Sequence, residues 1–481
     1  MKLKQTLVAM AAASIALTLA GCGSESENTP AQAREPAPTP VEEAAPAISD
    51  EQIDELVERS YQYVAMYNVN NKFAMKQGGW NLCDADTQLK DHTMREIARP
   101  NNDTLYISCL IDLRNEPMVL EMPDFDSKYV SLMITGYDHY VNVPMSTGQG
   151  DFDEPQTLLL FSERTGGGDG GPVEGIDRRF EATGDFISAV LRIMPHSSDP
   201  ERFDRIVQQM ETIRLSTLSE YRGDEPVTVS APEFPPVGAT DIDVFADNLL
   251  EVMQFVFNHT TFDESDPIDG ALLELYEPLG IVPGRAFDPT AVSELDSERL
   301  RAAAQQEQRE QFARAMDPAT MGQAGAFMFQ PKGEIPLDVL VMQSVTGPIG
   351  LPRQEAMYLP VVEADGTTLN AQHDYVIHMD GADMPPAGPF WSMTLYDSAN
   401  GFFIPNDHRK YSVGENAGMQ LNEDGGIDVY IAAEAPEGVP PENWLPINRQ
   451  DEDIDVILRI YDPDMERMKT WQAPTADRIS R

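Results

Sequence analysis

The chain has 481 residues, and its 34 Lys plus Arg against 80 Asp plus Glu give a formal net charge of −46 at pH 7. This excess of acid argues against a nucleic-acid partner, because binding nucleic acid requires clustered basic side chains. With 41% hydrophobic and 24% charged residues, the chain is too apolar to be disordered throughout, and its length predicts two or three domains.

The N-terminus has the pattern of an export signal. A basic Met-Lys-Leu-Lys start leads into an apolar run that is too short to span a bilayer. Leu19–Cys22 reads Leu-Ala-Gly-Cys and resembles the bacterial lipobox, in which the cysteine thiol receives a lipid. We therefore expect residues 1–21 to be a lipoprotein signal peptide. Because no Asp follows Cys22, known sorting signals favour the outer membrane as its place in the cell envelope.

Residues 22–48 are rich in Pro, Glu and Ala and contain almost no large apolar side chains. Such a segment cannot bury enough surface to offset the entropy cost of ordering. We expect a disordered tether between the lipid and the folded body. The expected partner is therefore the membrane, reached through the lipid on Cys22, and this anchoring requires no transmembrane helix.

The folded body is predicted to begin with a helix. Ser49–Gln52 has the spacing of a capping box, and apolar residues follow at near-helical intervals. From Thr104 to about Leu160 the apolar period changes to two, with turn signals between the alternating runs. Residues 49–198 are therefore expected to form a helix and a β-sandwich.

Cys83 and Cys109 are the two cysteines that remain once Cys22 is lipidated. A disulfide between them would close a loop of about 26 residues and contribute roughly 3 kcal/mol. The alternative is two buried thiols, since Cys109 lies on the apolar face of a predicted strand, where a free thiol also packs well. The sequence leaves both alternatives open.

Helical periodicity returns after Pro200, where apolar side chains recur with a period of 3.6 residues. We expect residues 199–335 to form a mainly helical bridge. Short alternating runs and Asp-Gly turns then predict a second β-sandwich over residues 336–470, followed by a tail over 471–481. The predicted fold class is therefore α+β and multidomain, with two antiparallel, jelly-roll-like β-sandwich modules joined by a helical middle section.

A weak internal echo links the two predicted sandwiches. Tyr129–Ser131 leading to Tyr137–Asp138 resembles Trp391–Ser392 leading to Tyr396–Asp397. Two related sandwiches would produce such an echo, and chance recurrence of aromatic-Ser strands would explain it equally well.

Two stretches carry a family resemblance. Arg99–Tyr106 reads Arg-Pro-Asn-Asn-Asp-Thr-Leu-Tyr and resembles the signature of the bacterial domain of unknown function 1254. Pro389–Asp397, followed by Asn443–Pro446 and Arg459–Tyr461, resembles its usual C-terminal companion, domain of unknown function 1214. The resemblance implies β-sandwich modules bridged by helices, in exported proteins whose activity is not established.

The densest polar cluster precedes the first strand of the N-terminal module. Arg99 could clamp an anion, Asp103 could act as a base, and Tyr106 could donate a hydrogen bond or stack on a ring, so these three are the predicted catalytic residues. The alternative is a turn that bonds its own backbone and starts a strand. The remaining members, predicted as ligand contacts, are Asn101, Asn102 and Thr104.

A second cluster of aromatic, Arg and Asn side chains lies in the C-terminal module. On a β-sheet these side chains could form a platform for a sugar or another ring-bearing ligand. Trp and Tyr also bury large areas, so the alternative is ordinary packing. The predicted ligand contacts here are Tyr396, Asn406, Arg409, Tyr411, Trp444 and Arg459.

No spacing in the chain predicts a metal or cofactor, because the histidines form no His-Glu-x-x-His or zinc-finger pattern. The two polar clusters are predicted to meet in one cleft between the modules. The leading hypothesis is a periplasm-facing lipoprotein that binds or processes a small polar or ring-bearing ligand there. The alternatives are a metal-independent hydrolase or lyase that uses Asp103, Tyr106 and Arg99, and a structural envelope lipoprotein. Enzyme status, ligand and oligomeric state stay open.

Overall fold

The computed structural model describes residues 48–95, 99–166, 172–225, 227 and 232–479. The predicted signal peptide, the lipid-bearing Cys22 and all but the last residue of the predicted tether lie outside the described residues. Among the helices of the described part of the chain, none is long and apolar enough to cross a membrane.

Helix α1 spans Asp50–Gln77, and its sequence sets both ends. The Ser49 hydroxyl accepts from the Gln52 backbone N–H, and the Gln52 side chain accepts from the Ser49 backbone N–H, which is the capping box that the sequence predicts. The helix ends at Gly78, whose φ of 99° favours glycine. The other helices are α2 (Pro200–Met210), α3 (Leu218–Arg222), α4 (Asp241–Asp247), α5 (Leu249–His259), α6 (Pro267–Tyr276), α7 (Ser297–Met316), α8 (Pro318–Ala324), α9 (Leu337–Thr346) and α10 (Met465–Met468).

The N-terminal sandwich consists of two sheets that enclose one apolar core. One sheet has the strand order β1-β2-β8-β4-β5 and the other β7-β6-β3-β9; all pairs are antiparallel except β6 with β7. Its strands are β1 (Leu82–Asp86), β2 (Leu105–Asp112), β3 (Met118–Met122), β4 (Val130–Gly136), β5 (Val141–Ser146), β6 (Gln156–Ser162), β7 (Arg178–Ala182), β8 (Phe186–Ile193) and β9 (Arg214–Thr217).

The C-terminal sandwich has the sheet orders β10-β17-β13-β14 and β16-β15-β12-β18, with β11 also paired to β17. A second apolar core lies between these sheets. The strands are β10 (Ala356–Val361), β11 (Leu369–Asn370), β12 (Asp374–Met379), β13 (Ala387–Asp397), β14 (Ser412–Gly414), β15 (Ile427–Ala432), β16 (Trp444–Pro446), β17 (Asp453–Pro463) and β18 (Ala476–Ile479). The predicted tail, residues 471–481, thus contributes β18, because its backbone pairs with β12.

The two sandwiches repeat one topology. The order β2-β8-β4-β5 corresponds strand by strand to β10-β17-β13-β14, and β7-β6-β3-β9 corresponds to β16-β15-β12-β18. Each sandwich has one parallel pair, and it stands at the same place, β6 with β7 and β15 with β16. The predicted fold class, an α+β fold with two antiparallel sandwiches and a helical section, is confirmed.

The helices form a third core around α1, which packs with α4, α5, α6, α7 and α9. This layer therefore combines the helix that precedes the first sandwich with α9, which lies within the range predicted for the second sandwich. Helices α2 and α3 instead cover the N-terminal sandwich, where Ile206, Met210 and Leu218 are buried. Periodicity identifies a helix but does not tell which layer it packs against.

Cys83 and Cys109 stand opposite each other in the register of β1 and β2 and form a disulfide. Of the two alternatives that the sequence leaves open, the structure contains the bridge. The Cys109 side chain also lies in the apolar core, so the strand-face argument and the disulfide are compatible.

Candidate functional site

Asp103 brings the N-terminal polar cluster into contact with the C-terminal sandwich. It lies just before β2, is 1% exposed, and its Oδ2 accepts from the Ser392 hydroxyl at 2.6 Å and the Tyr461 hydroxyl at 3.2 Å. Burial raises the pKa of this carboxyl, while the Arg459 guanidinium, Ser392 and Tyr461 oppose the rise. The carboxyl of one module is thus held by side chains of the other.

Arg459, on β17, holds the same junction from the other side. It is 3% exposed, and its Nη1 donates to Thr394 Oγ1 at 2.8 Å. Its Nη2 donates to the Tyr396 hydroxyl at 2.8 Å and to the Arg99 carbonyl at 3.1 Å, and Tyr396 in turn donates to the Pro100 carbonyl at 2.6 Å. The guanidinium therefore joins its own sheet to the turn that precedes β2.

The predicted Asn contacts complete this junction. The Asn101 amide donates to the Tyr461 hydroxyl at 3.0 Å, and its Oδ1 accepts from the Asp103 backbone N–H at 2.6 Å. Asn102 Oδ1 accepts from the Ser412 hydroxyl on β14 at 3.0 Å, and Thr104 is buried beside Asn101. The segment forms the self-bonding turn, and the same side chains contact the C-terminal sandwich.

The other predicted site residues contact different parts of the molecule. Arg99 donates from Nε to Asp455 Oδ2 at 3.1 Å, so its side chain points to an ion pair and not to Asp103. Four predicted ligand contacts likewise have partners elsewhere: Asn406 bonds Lys410, Arg409 pairs with Asp91, Tyr411 bonds His92, and Trp444 donates to the Ala432 carbonyl.

The polar sheet face of the N-terminal sandwich has a three-residue arrangement across adjacent strands. Tyr106 on β2 and Ser131 on β4 stand on either side of Arg192 on β8, each directly opposite it in register. The Arg192 Cζ lies 5.6 Å from the centre of the Tyr106 ring. Arg192 is 3% exposed.

The C-terminal sandwich repeats this arrangement on the corresponding strands. Tyr358 on β10 and Ser392 on β13 stand on either side of Arg459 on β17, again directly opposite it in register. The Arg459 Cζ lies 5.9 Å from the centre of the Tyr358 ring. We call the surface formed by the two Tyr-Arg-Ser sets and Asp103 the inter-sandwich interface.

The two sets differ in how their polar atoms are satisfied. Ser392 donates to Asp103, whereas the Ser131 hydroxyl and Arg192 Nη1 are buried without a hydrogen-bond partner in the described part of the chain. The Tyr129 hydroxyl lies close enough to Ser131 for the two to interact, although neither makes a hydrogen bond of good geometry in the described part of the chain. In the described part of the chain, no carboxylate bonds Ser131, Tyr129 or Arg192 on the N-terminal side.

The direction of the Glu355 side chain explains why no protein carboxylate bonds Ser131 as Asp103 bonds Ser392. It precedes Tyr358 by the same number of positions as Asp103 precedes Tyr106, so it is the repeat counterpart of Asp103. Its Oε1 accepts from Ser146 at 2.9 Å and Gln149 at 2.7 Å. The carboxylate therefore reaches β5 and leaves the β4 serine without a carboxylate partner.

Tyr358 is the most exposed residue of the two Tyr-Arg-Ser sets. Burial raises its pKa, and the guanidinium groups of Arg192 and Arg459 oppose the rise, so the phenol lies deep among groups of both sandwiches. Its side chain is nevertheless 48% exposed. Tyr358 therefore lies near the guanidinium groups of both sandwiches while about half of its side chain stays accessible.

Sequence reasoning missed Arg192, Ser131 and Tyr358 as site residues. The sequence carries one signal for Arg192, because it is the single charged residue in the strand segment Phe186–Met194. A buried charge needs a counter-charge or hydrogen bonds, so a single arginine in such a strand is a candidate site residue. For Tyr358 no comparable signal exists, since a tyrosine on an edge strand is ordinary.

Comparisons with known proteins agree with the architecture. The family described as protein of unknown function DUF1254 matches residues 83–216, and the family described as protein of unknown function DUF1214 matches residues 354–465. The crystal structure of the VPA0106 protein from Vibrio parahaemolyticus is similar with a TM-score of 0.67 and 21% identity, over 89% of this chain and 100% of that one. This likeness concerns the fold alone.

A crystal structure of an uncharacterized protein from Burkholderia cenocepacia aligns over 90% of this chain and 94% of its own, with a TM-score of 0.41 and 14% identity. No curated protein matches the chain.

Proposed function

Because this chain carries a DUF1254 domain followed by a DUF1214 domain, neither with an assigned activity, we propose its function from the interface between its sandwiches: it binds a small, ring-bearing carboxylate there. The observation that carries this proposal is the difference between two equivalent places. Ser392 bonds the carboxylate of Asp103, while Ser131, its repeat counterpart, bonds no carboxylate in the described chain and has the Tyr129 hydroxyl beside it.

The buried donors define the charged part of the ligand. The Ser131 hydroxyl, the Tyr129 hydroxyl and Arg192 Nη1 are buried on one sheet face without a carboxylate acceptor among the described residues. A buried donor that is left unsatisfied costs about 1–3 kcal/mol, and in a folded protein it calls for an explanation. A ligand carboxylate supplies acceptors for all three and a counter-charge for Arg192, as Asp103 does beside Arg459.

The exposed ring of Tyr358 defines the rest of the ligand. It lies near both Arg192 and Arg459, so a ring placed against it brings an attached carboxylate toward the N-terminal donors. Aromatic walls with a few placed polar groups are typical of small-molecule sites.

The geometry supports binding better than the hydrolase or lyase alternative. That alternative needs Arg99, Asp103 and Tyr106 around one substrate, but Arg99 pairs with Asp455, and Tyr106 lies against Arg192. Asp103 has one oxygen engaged by Ser392 and Tyr461 and is enclosed. The proposal therefore includes no catalytic step.

The test uses benzoate and a panel of other aromatic carboxylates in thermal-shift and calorimetric titrations of the full chain. We expect benzoate-type ligands to stabilise the protein and the neutral match, benzyl alcohol, to do so at least tenfold more weakly, a difference of about 1.4 kcal/mol. Arg192→Met and Tyr358→Ala should each weaken binding by a similar factor.

The matched control is Arg214→Met, which removes an exposed arginine from β9 in the other sheet of the same sandwich. It should bind like the unmodified protein. Equal binding by Arg192→Met and the unmodified protein would contradict the proposal, as would a panel in which no aromatic carboxylate stabilises the chain.

Lipid anchoring at Cys22 in the outer membrane is part of the same proposal. The support is the Leu-Ala-Gly-Cys sequence and the Pro-rich segment behind it, both outside the residues that the structure describes. Cys22→Ala should abolish lipidation and leave the protein in the aqueous phase of a detergent partition. A variant that still enters the detergent phase would refute the anchor.

A further inference from the structure

A second site, separate from the inter-sandwich interface, is a cavity of about 530 Å³ where the N-terminal sandwich meets α5 and α6. The end of β6, the segment before β8 and the end of α5 form its walls. We call it the His259 cavity. Its lining includes Glu163, Arg164, Asp185, His259, Phe262 and Glu264.

The backbone fixes His259 against Asp185. Gly184 and Thr260 form an antiparallel bridge, and the Asp185 N–H donates to the His259 carbonyl at 2.8 Å. A Cβ on Gly184 would lie 2.5 Å from that carbonyl oxygen, so the two segments approach as closely as they do because position 184 has no side chain. The relative position of the two side chains is therefore set by the chain itself.

Asp185 holds the imidazole in one tautomer. Its Oδ2 lies 2.9 Å from His259 Nδ1 and accepts from Arg164 Nε at 3.0 Å. Its Oδ1 accepts from the Ser162 hydroxyl at 3.1 Å. Burial raises the pKa of Asp185, but the hydrogen bonds from His259 and Arg164 outweigh it and lower the pKa below its usual range. An ionised carboxylate only accepts, so Nδ1 carries the proton and neutral His259 offers Nε2 as an acceptor.

Packing restricts the rotation of the imidazole. Its centre lies 5.1 Å from the Phe186 ring and 4.6 Å from the Phe255 ring, while the side chain stays 17% exposed on the cavity wall. The Thr260 hydroxyl, on the same wall, is buried without a partner in the described chain.

The charges of the His259 cavity favour a cation. Glu163 and Glu264 are exposed carboxylates in its lining, whereas Arg164 is engaged by Asp185 and the Asn258 carbonyl. In the described ranges, no three His, Cys, Asp or Glu side chains are close enough together to hold one metal ion. The cavity thus offers carboxylate acceptors to a cation without a metal-binding cluster among the described residues.

We propose that the His259 cavity binds an organic primary amine in its protonated form. The ammonium group donates to His259 Nε2 and is balanced by Glu163 and Glu264, and the apolar part of the ligand packs on Phe262 and Leu273, where a ring face also attracts a cation. This site does not depend on the carboxylate site between the sandwiches.

The probe is benzylamine, titrated into the full chain labelled with ¹⁵N in its histidines, with benzyl alcohol as the neutral match. We expect benzylamine to shift the His259 imidazole resonances and to bind at least tenfold more tightly than benzyl alcohol. The double variant Glu163→Gln/Glu264→Gln leaves the His259–Asp185 pair intact and should fold normally, because both glutamates are exposed. It should weaken benzylamine binding at least tenfold.

His378→Gln is the matched control, because His378 also pairs with aspartates but is exposed and outside the cavity. It should leave benzylamine binding unchanged, while His259→Gln should abolish it. If His259→Gln does not fold, the glutamine double variant still decides. The proposal is overturned if millimolar benzylamine moves no His259 resonance, or if the double variant binds as the unmodified chain does.

Discussion

The two sandwiches have the same strand order and place a Tyr-Arg-Ser set on the same three strands, yet a protein carboxylate satisfies only the C-terminal set. Arg459 makes three hydrogen bonds, one of them across the junction to the Arg99 carbonyl, whereas Arg192 makes one long contact, to the Ile349 carbonyl at 3.4 Å. Because the framework is repeated, the C-terminal set serves as a reference for the N-terminal set. The position where the two halves differ is where we propose that the ligand binds.

The strongest test of this difference is Arg459→Met. Removing a buried guanidinium that has partners leaves Asp103 without its counter-charge and three acceptors without a donor, which should cost about 3–5 kcal/mol. Denaturant unfolding of the two proteins side by side measures this. A loss below about 1 kcal/mol would mean that the C-terminal set does not hold the sandwiches together.

Asp103→Asn should have a smaller effect, a loss of no more than about 1.5 kcal/mol, because the amide oxygen still accepts from Ser392. The difference in unfolding free energy between the two proteins should also change with pH. The folded-state pKa of Asp103 is raised by burial, so ionisation costs more in the folded chain than in the unfolded one. The stability of the unmodified protein relative to the variant should therefore fall as pH rises through the carboxyl range.

Unfolding free energies of both proteins, measured at pH 4 and pH 7, check the direction of this change. An unmodified protein that gains stability relative to Asp103→Asn between these values would show that the pKa of Asp103 is lowered and not raised.

Arg192→Met should have the smallest effect on the free protein, within about 0.5 kcal/mol or slightly stabilising, because an unpaired buried charge is replaced by an apolar side chain of similar length. Its effect on benzoate binding should instead be large. A variant destabilised as strongly as Arg459→Met would show that the two sets are satisfied alike, and the difference between the halves would disappear.

Much of the fold could be predicted from the sequence, because alternating apolar residues and turn dipeptides are local signals. The serines of the echo correspond, since Ser131 and Ser392 occupy equivalent places opposite the two arginines, whereas Tyr129 and Trp391 stand at different distances from them. The meeting of Asp103 with Arg459 was also predicted, from the polar faces of their strands.

The partners of individual side chains could not be predicted. Asp103 and Ser392 are 289 positions apart, and Asp185 and His259 are 74 apart, so no spacing links them. Arg409 and Trp444 looked like ligand contacts because of their residue types, but an arginine ion pair at the surface and a tryptophan hydrogen bond to backbone look identical in a sequence. Side-chain direction depends on tertiary contacts that local patterns do not contain.

The disulfide of β1 also bears on self-association. Strand β1 covers the edge of β2, and the bridge ties the two strands together near one end of their pairing. Without β1, the backbone N–H and C=O groups of β2 would form a bare sheet edge, which invites pairing with a strand of another copy. The bond therefore guards the protein against edge-to-edge aggregation, and light scattering with and without reductant should show larger particles only in the reduced sample.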